Sequence, residues 1–136
     1  RAAGEKSLAN FDVMASCSVI ISDDYEKAVI PVKANIALYV GGMGARGKNF
    51  YNDLFKRYGW VQEAEEIQDL FLSGKRAEAM AAVPEEYIDL SALIGDEGYV
   101  RERLQVFKEV GVTHLNVNAV GPDSLATFEK LKAWSE

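Results

Sequence analysis

The 136 residues are 49% hydrophobic and 26% charged, with a formal net charge of −6. A chain of that size is one domain or part of one, long enough to bury roughly two thirds of its unfolded surface. The acid excess argues against nucleic acid as the main partner, since phosphate binding needs a basic face, and no apolar run nears the ~18 residues of a membrane span.

Residues 1–11 lack the apolar core of a signal peptide, and the single cysteine, Cys17, cannot form an internal disulfide. A reducing cytoplasm is the expected location.

Residues 11–22 read as a strand. Phe11, Val13, Ala15, Cys17, Val19 and Ile21 alternate with Asp12, Met14, Ser16 and Ser18, so one face suits packed helices and the other a barrel interior or a ligand. A helix follows, with Asp23 and Glu26 as a capping box and Tyr25, Ala28, Val29, Val32, Ile36 and Tyr39 on one stripe. Pro31 lies inside that pattern and predicts a kink or restart. Gly41 is the expected stop.

Three helical segments come next. Residues 49–58 place Phe50, Leu54, Phe55 and Tyr58 on one stripe and end at Gly59. Residues 61–72 carry Val61, Ala64, Ile67, Leu70 and Phe71 and end at Gly74. Residues 75–82 are alanine-rich and closed by Val83 and Pro84, with a short helical turn expected over 85–89. Asp96 should then cap a helix carrying Val100, Leu104, Phe107 and Val110, stopped by Gly111. Residues 113–120 form the second strand, and Gly121, Pro122 and Asp123 start a last helix with Leu125, Phe128, Leu131 and Trp134.

This run is an α/β pattern with parallel strands. Two strands do not make a stable sheet covered on both faces. The expectation is that further strands lie on a missing N-terminal part, or that the chain associates with another copy.

Residues 41–48 hold four glycines with Arg46 and Lys48. One glycine suffices to stop a helix, while the others allow tight turns or bring backbone N–H groups to an anion that the two cations would neutralise. The loop matches neither a Walker pattern nor a dinucleotide fingerprint. Tyr39, Phe50, Tyr51, Phe55 and Tyr58 surround it at core-like spacing, with one or two free to line an apolar pocket. His114 sits near a strand start and reads as structural, whereas Asn118 stands nearer the strand end. No metal-ligand cluster, nucleophile elbow or catalytic triad is spaced out in the sequence. Glu63, Glu65, Glu66 and Asp69 read as a solvated helix face.

The run Leu38-Tyr39-Val40-Gly41-Gly42-Met43-Gly44, followed by Lys48-Asn49-Phe50-Tyr51-Asn52, resembles the C-terminal part of luciferase-like flavin and deazaflavin enzymes. The likeness is to the actinobacterial type of coenzyme F420-dependent oxidoreductase. Further family-like pieces are Ile67-Gln68-Asp69-Leu70 with Gly74-Lys75, Ala82-Val83-Pro84-Glu85-Glu86, Leu93-Ile94-Gly95 and Glu109-Val110-Gly111-Val112-Thr113.

The resemblance implies an α/β fold, the C-terminal portion of a TIM (β/α)8 barrel with a helical insertion between its last two strands. Such barrels run to about 250 residues. The segment divides into a strand plus helix over 11–40, a glycine-rich loop and helical insertion over 41–95, and a closing helix–strand–helix over 96–136.

The implied chemistry is hydride transfer between coenzyme F420 and a small organic substrate, with FMN and a luciferase-like monooxygenase reaction as the alternative. Gly42, Met43, Gly44, Arg46 and Lys48 are then expected in a lid or pocket, with Asn118 at the strand end. The catalytic residues are expected upstream, so the segment alone would be inactive. A non-catalytic association module is the remaining alternative.

Overall fold

The computed structural model describes residues 11–120 and 123–135. Three parallel strands form its sheet: β1 (Met14–Ile21), β2 (Ala92–Gly95) and β3 (His114–Ala119), in the order β2-β1-β3. β3 pairs with the first part of β1, Met14 opposite His114 through Val19 opposite Ala119. β2 pairs with the last part, Ser18 opposite Ala92 through Ile21 opposite Gly95.

Alternation along β1 divides the sheet as the sequence predicts. Cys17, Val19, Leu93, Leu115 and Val117 face α7 (Glu97–Glu109) and α8 (Ser124–Ser135), and with Val100 and Leu131 they form one apolar core. Cys17 belongs to that core, and burial pushes its thiol above its usual range. The opposite face changes character along its length. Near the strand starts it carries Met14, Ser16, His114 and Asn116; higher up, Ile20, Ala92 and Ile94 join a second, larger core.

That core belongs to the long crossover from β1 to β2, built from α1 (Tyr25–Ala28), α2 (Ile30–Ala37), a π-helical turn (Leu38–Gly42), α3 (Phe50–Arg57), α4 (Val61–Leu72), α5 (Arg76–Ala81) and α6 (Glu85–Ser91). Phe55, Ala64, Ile67, Ala79, Val83 and Ile88 are its innermost side chains. The helical block therefore roofs the C-terminal half of the face whose N-terminal half is polar.

Several elements differ from the sequence reading for identifiable reasons. The first cap is Asp24, whose Oδ1 accepts from the Lys27 N–H at 3.2 Å, one residue after the expected Asp23. Pro31 falls in the first turn of α2, so the restart occurs just before it, where its absent N–H costs nothing. Residues 92–95 form a third strand rather than a stretch of the helical insertion. Four apolar residues carry no period that separates strand from helix.

Three helices also turn differently from their apolar stripes. Phe50 and Tyr58 are exposed on α3 while Asn52 is buried, and Leu125 and Phe128 are exposed on α8 while Thr127 is buried. On α7, Val110 points to solvent. The expected helix start at Gly121 and Pro122 lies outside the described residues.

Candidate functional site

The polar half of the sheet face is a ladder of matched small side chains. Ser16 stands opposite Asn116 and Ser18 opposite Asn118. With Ser91, at the end of α6, they line an open concavity of about 510 Å³. Ser91 is held at its lip by an Oγ–H donated to the Ile88 carbonyl at 3.4 Å. None of the four ladder side chains hydrogen-bonds to another described residue, so their hydroxyls and amides are available to a ligand. They are neutral, and no Asp, Glu, His, Lys or Arg among the described residues lines the concavity. The arrangement can orient a polar, uncharged group and supplies no proton donor of its own.

Asn118 is thus placed at the rim where the ladder meets the helical block, as its strand-end position predicts. His114 lies at the opposite end. It is exposed, with Nδ1 3.0 Å from the Thr113 hydroxyl and 3.6 Å from an Asp12 carboxylate oxygen.

The glycine-rich run has a strong packing rationale. Gly41 does not stop the helix, which widens into the π-helical turn and continues to Gly42. A Cβ on Gly41 would sit 2.6 Å from Phe71 Cβ and 3.0 Å from the Ile67 carbonyl oxygen; one on Gly42 would sit 2.3 Å from Phe71 Cε1. These glycines let the turn press directly on α4. Gly44 lies against backbone, with a Cβ position 2.6 Å from the Lys48 carbonyl oxygen. Only Gly47 in this run needs a left-handed conformation, at φ +71°. Genuine helix stops are Gly74 and Gly111, where paired backbone bonds close the last turns of α4 and α7.

Gly41→Ala is accordingly expected to destabilise by about 2–3 kcal/mol through overpacking against a backbone carbonyl and a Cβ that cannot swing away. Urea unfolding with an unchanged m-value would register it. A cost below about 0.5 kcal/mol would mean that α4 yields freely.

The cations of the loop lie outside the sheet concavity. Arg46 donates from Nε (2.9 Å) and Nη2 (2.6 Å) to a single oxygen of Asp69, and both partners are largely exposed. Lys48 and Met43 are exposed as well. The structure does not bring these residues to Asn118.

A smaller groove of about 170 Å³ opens beside the loop, lined by Tyr39, Tyr51, Phe55 and Tyr87 among others. Tyr39 and Tyr51 meet edge to face at 4.7 Å, and burial raises the Tyr87 hydroxyl. Sequence reasoning placed aromatics here but missed Tyr87, which arrives from the far end of the insertion.

Two buried amides were also missed. Asn49 Nδ2 donates to the Tyr39 and Val40 carbonyls, each at 2.9 Å, while its Oδ1 caps α3 by accepting from the Tyr51 and Asn52 N–H groups. Asn52 Nδ2 donates to the Val40 carbonyl at 3.1 Å and the Ala64 carbonyl at 2.7 Å. They satisfy backbone groups at the end of the π-helical turn and hold the loop closed. The only sequence signal is the N-cap preference of Asn49.

Among the described residues, no three side chains group as a metal site and no helix is long and apolar enough to cross a membrane.

This geometry matches known proteins. The family model described as luciferase-like monooxygenase matches residues 1–114. The chain belongs to that family. A protein of Mycobacterium tuberculosis named as a coenzyme F420-dependent oxidoreductase is 37% identical over 119 residues, which is 88% of this chain and 34% of that protein. The 5,10-methylenetetrahydromethanopterin reductase of Methanopyrus kandleri is 27% identical over 126 residues, 91% of this chain and 34% of the enzyme. The solved structure of the coenzyme F420-dependent tetrahydromethanopterin reductase of that organism superposes with a TM-score of 0.64 at 26% identity, covering 88% of this chain and 33% of that one. The fold is that of part of a luciferase-like barrel, and the chain spans about a third of the length of these relatives.

Proposed function

We propose that this chain is the C-terminal segment of an oxidoreductase that moves a hydride between coenzyme F420 and a small organic molecule. The observation that carries the reading is the neutral Ser16–Asn116 and Ser18–Asn118 ladder, on the sheet face that a barrel would enclose, beneath a helical roof. Its uncharged donors and acceptors fit the polar edge of a tricyclic deazaflavin ring. When bound, that ring supplies the hydride chemistry.

The chain's own residues orient and enclose. Ser18 and Asn118 hydrogen-bond the bound ring at the rim, and the helical block keeps water from the reacting face. Met43, Arg46 and Lys48, exposed on the 41–48 loop that also holds Gly42 and Gly44, close on an anionic group of the substrate. Arg46 exchanges Asp69 for that group at little cost, because an ion pair exposed on both sides contributes little. The free, buried Cys17 fits a reducing compartment such as the cytoplasm.

Titrating coenzyme F420 into the longer protein that carries this segment tests the proposal. Saturable fluorescence quenching at micromolar coenzyme is expected. Asn118→Ala should weaken it about tenfold, the value of one to two hydrogen bonds. Arg46→Ala should raise KM for substrate and leave coenzyme affinity unchanged. Absence of quenching at micromolar coenzyme overturns the reading.

A further inference from the structure

The helical block holds a preformed groove of its own. Every residue that lines the space of about 170 Å³ beside the glycine-rich loop falls within 35–87, and none of them lines the concavity over the ladder. Asn35 and Ile36 come from α2, Tyr51 and Phe55 from α3, and Tyr87 from α6. Tyr39 sits in the π-helical turn, a distortion that recurs at functional sites.

The walls are held from behind. Buried Asn49 donates to the Tyr39 carbonyl and accepts from the Tyr51 N–H, so one amide fixes the backbone of both tyrosines. Tyr39 and Tyr51 then meet edge to face at 4.7 Å, while Phe55 and Tyr87 meet at 4.5 Å with their rings tilted by 56°. Trp60 backs the second pair, 5.5 Å from Phe55 and 5.1 Å from Tyr87. Rings braced in this way keep the groove open.

Its polar groups are unpaired. The hydroxyls of Tyr39, Tyr51 and Tyr87 and the Asn35 amide hydrogen-bond to no other described residue. Aromatic walls with a few convergent donors and acceptors hold a small flat molecule in one orientation. Size narrows the class: a cavity of about 150 Å³ holds one benzene ring, so this groove suits a single six-membered ring with a short substituent. Charge narrows it further, because no Asp, Glu, His, Lys or Arg lines the groove.

We infer that the groove is a binding site for a neutral, monocyclic aromatic molecule bearing a hydroxyl or carboxamide. The ring packs on Phe55 and the tyrosine rings, and the substituents bond the tyrosine hydroxyls and the Asn35 amide. This site goes beyond the coenzyme reading and does not depend on it, since its lining lies wholly within the helical block.

The test labels the tyrosine rings of the longer protein with 13C and titrates 4-hydroxybenzamide while their NMR signals are recorded. Single Tyr→Phe variants at 39, 51 and 87 assign the three signals. Saturable shifts of all three are expected, with a Kd on the order of 0.1–1 mM, the range open to a ligand of about ten heavy atoms. Tyr87→Phe should weaken 4-hydroxybenzamide about five- to tenfold, the value of one hydrogen bond. It should weaken toluene, which forms no such bond, less than about twofold. Tyr39→Phe repeats the comparison at a ring outside the Trp60 cluster. Cyclohexanecarboxamide, of similar size but not flat, should bind about fivefold more weakly than benzamide. No saturable shift up to about 10 mM probe, equal weakening of the two aromatic probes in both variants, or equal binding of the two amides would each overturn the inference. Coenzyme F420 added beforehand should leave the shifts in place. Their disappearance would assign the groove to the coenzyme and overturn a separate ligand, whereas absent coenzyme quenching strikes only the functional reading.

Discussion

Phe55→Ala should be the most damaging single truncation in the helical block, costing about 3–5 kcal/mol as large-to-small core changes of aromatic residues do. Phe55 is 1% exposed and packs against Trp60 and Tyr87 at centroid distances of 5.5 and 4.5 Å. The hole would fall where α3, α4 and α6 converge, and rigid helices cannot collapse into it. Phe50→Ala is the matched control. Phe50 shares the predicted stripe but is 67% exposed, so its loss should stay within about 0.5 kcal/mol. Urea midpoints at constant m-value give both numbers. Equal costs would refute the helix rotation described for α3.

Asn52→Asp should cost about 2–4 kcal/mol for a change of a few atoms. The amide is 3% exposed and donates both its protons, one to Val40 of the π-helical turn and one to Ala64 of α4. A carboxylate has no proton for either oxygen, so two buried carbonyls lose their partner and a charge is placed between them. The loss should shrink as pH falls through the carboxyl pKa, because a protonated Asp regains one donor. Asn52→Ala, which leaves the carbonyls unpaired without adding charge, should be milder. If Asp and Ala variants unfold at the same urea concentration, the amide's protons are not what holds the turn.

Much of the fold was legible in the sequence. The alternation of Cys17, Val19 and Ile21 with Ser16 and Ser18 reports a strand with two unlike faces, and that is how β1 sits. The helix over 61–72 has the predicted bounds, and Asp96 caps α7 by accepting from Tyr99 N–H at 2.8 Å. These features are local, encoded within one strand or one turn.

What escaped depends on partners distant in the chain. β2 is four residues long and is a strand only because β1 lies beside it. Asn52 looks like a surface residue until Val40 and Ala64 close over it.

The candidate site divides along the same line. Asn118 was legible from its place near a strand end. Its grouping with Ser16 and Ser18 required the register, which no spacing within either strand reveals. The glycines of residues 41–48 make the converse case: a local pattern that reads as a ligand cradle also serves helix contact. Gly41 and Gly42 are small because Phe71 is near, a cause found thirty residues downstream.

The strand order has a consequence for synthesis. β1 is the middle strand, yet both of its neighbours are made after it, and Val13 meets Thr113 across 100 positions. At about 5–20 residues per second, β1 leaves the ribosome and waits on the order of ten seconds before Ala92 exists to pair with Ser18. During that interval the helices between them can form their own contacts, drawing the ends of the crossover together and lowering the entropy still to be lost when the strands meet. The helical block is then more than a roof over half of one sheet face: it is the tether that brings a waiting strand to its partners.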